Sequence, residues 1–303
     1  MILIYNISKM LPVKKIYVDS KYKVADGDPR TSDSNFKFQL QQTCYMPENT
    51  KFFISDVCIP HTWETVNDFN SKLYLRTFVV HGQNAGLQRD YVINLDKKSY
   101  IGNTFAAMLK SKIQTETGET GIHCAFNNTT NKLSLYIGSP NGTEYWDLMC
   151  HFLTDKELRN PDHFTGFAWA PANPNHTYDI NNLKSANTLI SNTSGEIFTD
   201  PFTFDEPFNN HLNLQPIRNI YIHSPNLGNF QTLGARGEQT VIKKVPVSSN
   251  QGDMIFSDYT SSGYDMLDCS KQTLRQLEFR LTNVDGIEIP FNDNHVSFSI
   301  VFN

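Results

Sequence analysis

The reading of the fold turns on the stretch LEFRLTNVDGIEIP, Leu277 to Pro290, and on HVSFSIVF, His295 to Phe302, which follows it. Leu277, Phe279 and Leu281 alternate with Glu278, Arg280 and Thr282, the period of a strand buried on one face. Asp285-Gly286 supplies the positive φ of a tight turn, and Ile287 and Ile289 begin a return strand. Val296, Phe298, Ile300 and Phe302 then alternate with Ser297, Ser299 and Val301. Two such strands joined by a short turn indicate an antiparallel sheet with one face on a core.

The same pattern recurs toward the other end. Phe36, Phe38 and Leu40 alternate with Lys37 and Gln39, whereas KFFISDVCIP, Lys51 to Pro60, is apolar on both parities and reads as buried on both faces. LYLRTFVV (Leu73 to Val80), RNIYIH (Arg218 to His223) and TVIKKVPV (Thr240 to Val247) are further strands. Short strands separated by Gly, Pro and Asn predict a sandwich of two antiparallel sheets.

Between these blocks the period changes. After Tyr91 to Leu95, Phe105, Leu109 and Ile113 share one helical face, with Asn103 or Thr104 placed to cap the start and Gly118 the end. Two strands follow, Gly121 to Phe126 and Lys132 to Gly138, joined by NNTTN. WDLMCHFL, Trp146 to Leu153, leads to a capping box at Thr154–Glu157 opening a short helix that Pro161 ends. A second short helix is expected near Ile180 to Ser185, within ordered loop running from Asn160 to Pro207. The expected organisation is mainly β. An antiparallel β-sandwich (a single jelly roll) comes from residues 1–86 and 208–303, and a β-α-β-β insertion with long loops occupies 87–207.

Composition limits the function. The chain has 303 residues, 39% hydrophobic, 19% charged and 12% aromatic, with net charge -5. That excludes disorder, collagen and coiled coil. No apolar run approaches the roughly 20 residues of a membrane span. The acidic balance argues against a protein that wraps nucleic acid. Only Met1 to Arg30 is locally basic, as a solvated arm or a phosphate contact would be. The start lacks a leader's basic region and cleavage site, and Cys44, Cys58, Cys124, Cys150 and Cys269 are widely spaced and odd in number. All five are expected as reduced thiols in a protein assembled inside a cell.

The motifs of catalysis are missing: no G-x-S-x-G, H-E-x-x-H, phosphate loop or G-x-G-x-x-G occurs. His123-Cys124 and Cys150-His151 are adjacent pairs, and neighbours on a strand point to opposite faces, so neither reads as a metal or nucleophile site. Asp26-Gly27-Asp28 lacks the further acids of a calcium loop and reads as a turn before Pro29. His61 and Trp63 leave a buried strand among polar residues. They suit either an aromatic anchor at a subunit interface or a plug at the end of the sandwich. Ile2, Leu3, Ile4 and Ile7 form an apolar cluster expected to contact a neighbouring subunit, with packing on the chain's own sandwich as the alternative. No cofactor, metal or catalytic residue is expected.

Nearly the whole chain, in order, resembles the penton (minor capsid) proteins of Mavirus-type virophages and of the Maverick/Polinton and adintovirus lineage. The stretches concerned are IYVDS (Ile16 to Ser20), FKFQL (Phe36 to Leu40), SDVCIPHTWETVNDFNSKLYL (Ser55 to Leu75) and YVINLDKKSYIGNTFAAML (Tyr91 to Leu109). They continue with IHCAFNNTTNKLSLYI (Ile122 to Ile137), FLTDKELR, KSANTLI, PIRNIYIHSPNLGNF (Pro216 to Phe230) and VIKKVPV, and close with the two C-terminal strands. The resemblance implies an upright jelly roll in a homopentamer at the five-fold vertices of an icosahedral capsid. It further implies a double jelly-roll major capsid protein as partner, an insertion rising on the outer surface, and a virion assembled in the host cell, in its cytoplasm. A host receptor is a further partner it leaves room for. The runner-up from another class is a carbohydrate- or receptor-binding β-sandwich module. A hydrolase on such a sandwich would need a clustered acid and base, which the sequence does not space.

Overall fold

The structure, a computed structural model, describes residues 13–79, 88–118, 121–137, 148–152, 186–190, 211–227, 231–262 and 265–303. The chain divides into two compact units, Met1–Trp63 with Ile217–Asn303, and Glu64–Pro216.

The first unit is built from β1 (Lys15–Asp19), β2 (Asn35–Tyr45) and β3 (Lys51–Pro60) at one end of the chain. To these the other end adds strands Asn219–His223, Val241–Pro246, Met254–Asp258, Leu267–Asp268, Thr273–Thr282 and Ser297–Phe302, numbered β9 to β14 because five strands of the second unit intervene. One sheet runs β1-β14-β3-β11, with β12 also pairing on β3, and the other runs β10-β9-β13-β2. Setting aside β12, eight strands remain, and they pair first with last: β1 with β14, β2 with β13, β3 with β11, and β9 with β10, all antiparallel. This is one long nested hairpin, rolled so that β14 also meets β3 and β13 meets β9. Rolling a nested hairpin into two four-stranded sheets makes a jelly roll. The fold is therefore a mainly antiparallel, jelly-roll-like β-sandwich.

The alternating residues face each other across the core. Phe298 lies edge-on to Phe279 with ring centroids 4.9 Å apart, and Phe36 lies 5.6 Å from Phe279. The double-parity reading of β3 holds: Phe52, Phe53, Ile54 and Ser55 are consecutive buried residues. Sequential strands β1, β2 and β3 make no ladder with one another, which is why local periodicity could show the strands but not their partners. The turn at Asp285-Gly286 has φ +73° at the glycine, as expected. The return strand is shorter than expected: beyond one bridge, Thr282 with Glu288, the chain leaves the ladder, since Ile289 and Phe291 turn into the core.

The second unit holds β4 (Lys72–Val79), β5 (Gln88–Asn94), α1 (Gly102–Thr117), β6 (Ile122–Asn127), β7 (Lys132–Ile137), β8 (Leu148–Phe152) and the short α2 (Asn187–Ile190). The β-α-β-β order is present as β5-α1-β6-β7. Strand β4, which the sequence places with the sandwich, instead sits between β5 and β8. The contact boundaries accordingly fall at Trp63/Glu64 and Pro216/Ile217 rather than after residues 86 and 207. Phe105, Leu109 and Ile113 of α1 are fully buried with Leu73, Ile93, Leu133 and Leu135 in a core of this unit's own. Gly118 ends the helix at φ +75°, its N–H donating to the Gln114 carbonyl. The helix is capped at Ile101, two residues before the nearer expected cap: Thr104 reaches back, its hydroxyl accepting the Ile101 N–H at 3.1 Å. The expected helices at Thr154–Glu157 and Ile180–Ser185 lie outside the described residues.

Candidate functional site

The β1-β14-β3-β11 sheet presents a polar centre between two apolar flanks on the face turned away from the core. On β14, Phe298 and Ile300 pack in the core, while Ser297 and Ser299 fall on the opposite parity, Ser297 partly exposed and Ser299 buried. The ladders align Tyr17 with Ser299 and Asp56, and place Ser297 and Phe256 opposite Cys58 from its two sides. Asp56 accepts from Ser299 Oγ at 2.9 Å, from Ser55 Oγ at 2.6 Å and from Lys15 Nζ at 3.3 Å. Burial raises its pKa, but these three donors outweigh burial and hold the carboxyl below its ordinary value. At the β1 edge Tyr17 is 72% exposed, with Lys15 Nζ 4.9 Å from its ring centroid, and Tyr22 is exposed just beyond. At the β11 edge Met254 and Phe256 are 51% and 62% exposed, while Ile255 between them is buried.

The interface residues expected from sequence fare differently. Ile2, Leu3, Ile4 and Ile7 lie outside the described residues. Of the two readings of His61 and Trp63, the structure takes the plug: Trp63 is 3% exposed, its ring 4.1 Å from the His61 ring and 6.2 Å from Phe291. Main-chain partners hold the plug in place. His61 Nδ1 lies 2.9 Å from the Ser249 carbonyl, and Gln251 Nε2 donates to the Trp63 carbonyl. The polar neighbours that suggested exposure are themselves turned onto backbone, as Thr62 Oγ1 is onto the Phe291 carbonyl at 2.8 Å.

The titratable groups inside the sandwich are arranged for structure. Asp33 accepts from Ser20 Oγ (2.7 Å) and Lys23 Nζ (2.8 Å), and pairs with His295 Nδ1 at 3.0 Å, tying the ends of three segments together. Burial pushes Asp33 up and these donors more than reverse it. His223 Nε2 lies 3.0 Å from Thr282 Oγ1, which itself donates to the Asn283 carbonyl. Thr282 therefore accepts from Nε2–H, leaving Nδ1 to accept from Thr240 Oγ1 at 3.1 Å. Burial, reinforced by Arg280, depresses the pKa of this ring and keeps it neutral. Lys243 is buried and lies 3.8 Å from Asp265; burial draws its pKa down.

Asp26-Gly27-Asp28 is a turn. Asp26 accepts the Asp28 N–H and Asp28 accepts the Arg30 N–H, while Lys37 and Arg30 hydrogen-bond the two carboxylates and hold each at about 2. No cluster of three His, Cys, Asp or Glu placed for a metal occurs among the described residues. Cys44, Cys58, Cys124 and Cys269 are free thiols; the Cys150 side chain lies outside the described residues. Burial pushes Cys124 and Cys269 up to about 12, the opposite of an activated nucleophile. The second unit carries a cleft of about 460 Å³ beside α1, lined by Asp96, Lys98, Tyr100, Thr104, Ser111 and Lys112 among others. No helix among the described residues is long and apolar enough to cross a membrane.

Sequence reasoning missed Tyr17, Met254 and Phe256 as surface residues. MIFSD is only five residues long and apolar at its first three positions, so its alternation is hidden. The signal available was the charged or polar residue on each side of the apolar run, Asp253 and Ser257.

The chain is thus a jelly-roll-like sandwich with a separate unit inserted between its third and fourth strands. The structure is similar to the crystal structure of mavirus penton protein, with TM-score 0.50 and 11% identity, over 96% of this chain and 99% of that one. At that identity the likeness is one of fold. No family model matches the sequence, and no curated protein matches it.

Proposed function

We propose that this chain is a structural penton protein, five copies of which occupy each five-fold vertex of an icosahedral capsid and contact a double jelly-roll major capsid protein. One observation carries the reading. The likeness to a penton extends over both units and almost the full length of both chains, so it includes the insertion as well as the common sandwich. The interior supports it from the side of chemistry: the buried Asp33, His223 and Lys243 are engaged in structural contacts, and the thiols at Cys124 and Cys269 are held protonated. A virion location follows from the same reading. So does a role for Ile2, Leu3, Ile4 and Ile7 in gripping a neighbouring subunit.

The test is co-expression with a candidate double jelly-roll major capsid protein, followed by particle reconstruction. Density for five copies at each vertex is the expected result. Copies on two-fold or three-fold axes, or particles without this chain, would sink the reading.

The runner-up is a receptor- or carbohydrate-binding module, favoured by the α1 cleft, whose lysines, hydroxyls and single carboxylate suit a polar ligand. Binding of the isolated protein to a glycan array, lost in Lys98→Ala and Lys112→Ala variants, would promote it.

A further inference from the structure

The two apolar flanks of the β1-β14-β3-β11 sheet are on opposite edges, and their surroundings carry opposite charge. Residues 13–23, which contain β1, hold Lys14, Lys15, Lys21 and Lys23 against Asp19; Lys15 and Lys23 pair with Asp56 and Asp33 within the chain, so the positive excess rests on Lys14 and Lys21. Residues 249–262, which contain β11, hold Asp253 and Asp258 and no cation. Among the described residues, β1 and β11 each pair on one side only, so both flanks border a sheet edge. An edge strand with exposed large apolar residues is a docking edge unless something covers it. Neither edge is blunted by proline or by an inward-pointing charge.

We infer that the occupant of each edge is a second copy of this chain, joined head to tail. Tyr17 and Tyr22 of one copy pack on Met254 and Phe256 of the next, with Lys14 and Lys21, on either side of β1, facing Asp253 and Asp258. Self-pairing of like edges would oppose lysine to lysine or aspartate to aspartate, which charge disfavours. Pairing of unlike edges is a heterologous contact, and a heterologous contact repeated by rotation closes a ring. The contact rests on the homopentamer reading and says which surfaces build it. The Asp56 network between the flanks stays internal to each copy.

The test uses the full-length chain and three variants: Tyr17→Glu, Phe256→Lys, and the two together. Both positions are more than half exposed, so circular dichroism melts should match the wild type and show that each variant folds. Analytical ultracentrifugation is run at a concentration where the wild type forms five-copy rings. Each single variant should sediment as monomer, because a carboxylate or an ammonium replaces the aromatic packing. The double variant should regain rings, since the new carboxylate of one copy meets the new ammonium of the next. Rings that persist in the single variants overturn this contact and leave the homopentamer standing. A double variant that stays monomeric places the two residues in separate contacts and overturns the pairing. If the wild type is monomeric alone, the same variants are read as copies per vertex in particles assembled with the shell protein. Absence of five wild-type copies in both settings defeats the homopentamer itself.

Discussion

Trp63 shows what a single residue's chemistry decides in this chain. Flanked by His61, Thr62 and Glu64, it reads equally well as an exposed anchor or a plug, because sequence reports the neighbours' polarity and not where their polar atoms are satisfied. The main-chain carbonyls of Ser249 and Phe291, far away in sequence, settle it. Trp63→Ala should therefore lower stability by about 3–5 kcal/mol, the usual cost of removing a buried aromatic, measured by urea unfolding. A change under about 1 kcal/mol would return Trp63 to the surface. The buried titratable groups make a second prediction. His61 and His223 have depressed pKa values, chiefly through burial, so the unfolded chain takes up their protons first. Their contribution is whole above the ordinary histidine value of about 6.5 and is lost as pH falls through the folded values. Asp33 and Asp56 are also depressed, so theirs is whole above about 3.8 and lost below it. The melting temperature should fall in two stages from pH 7 to pH 2, and His223→Gln should shrink the first. A flat profile between pH 7 and pH 5 would refute the neutral-histidine assignment.

Elements were legible where burial leaves a local pattern, one-sided or two-sided. The alternation of β13 and β14, the double-parity run of β3 and the Phe105/Leu109/Ile113 face of α1 each encode their own environment. What local pattern does not encode is the partner. LYLRTFVV has the composition of a sandwich strand, yet β4 pairs with β5 and β8, and only the ladder distinguishes the two. The edge strand β11 was hidden because exposed Met254 and Phe256 erase the alternation by which strands are recognised. The start of α1 carries a constraint of another sort. A Cβ at Gly102 would stand 2.2 Å from the Phe126 ring, with three ring atoms closer than any real contact allows. Glycine is there because β6 lays an aromatic ring across the first turn of the helix, not for its freedom of φ. Gly102→Ala should displace that ring and cost the second unit about 1–3 kcal/mol, as overpacking does. Gly102→Ala combined with Phe126→Leu should recover part of the loss. If the single variant melts like the wild type, the ring and the helix are not in contact.

For the whole molecule, the nested order of pairing makes the sandwich indivisible and the insertion separable. Fragment 1–63 contains β1, β2 and β3, whose partners β14, β13 and β11 all come from beyond residue 216, so alone it has no sheet to form. Among the described residues, the ladders of the sandwich close within 1–63 and 217–303, and those of the insertion within 64–216. Limited proteolysis should therefore yield no folded fragment from the N-terminal end, and near-ultraviolet dichroism of residues 1–63 should be featureless. Replacing 64–216 by a flexible Gly/Ser linker should leave a cooperative sandwich, because its core, from Ile16 to Phe302, draws on no described residue between Trp63 and Ile217. A cut at the boundaries suggested by the strand pattern, after 86 and before 208, would behave differently. It would strand β4 without β5 or β8, exposing Leu73 and Leu75, which are buried in the intact unit, on an unpaired strand. The linker version cut at 63 and 217 is expected to be monodisperse and to melt in one transition, and the version cut at 86 and 208 to aggregate. Equal behaviour of the two would mean that β4 belongs to neither unit in particular. Loss of the sandwich in both would mean that the insertion is needed to close the jelly roll.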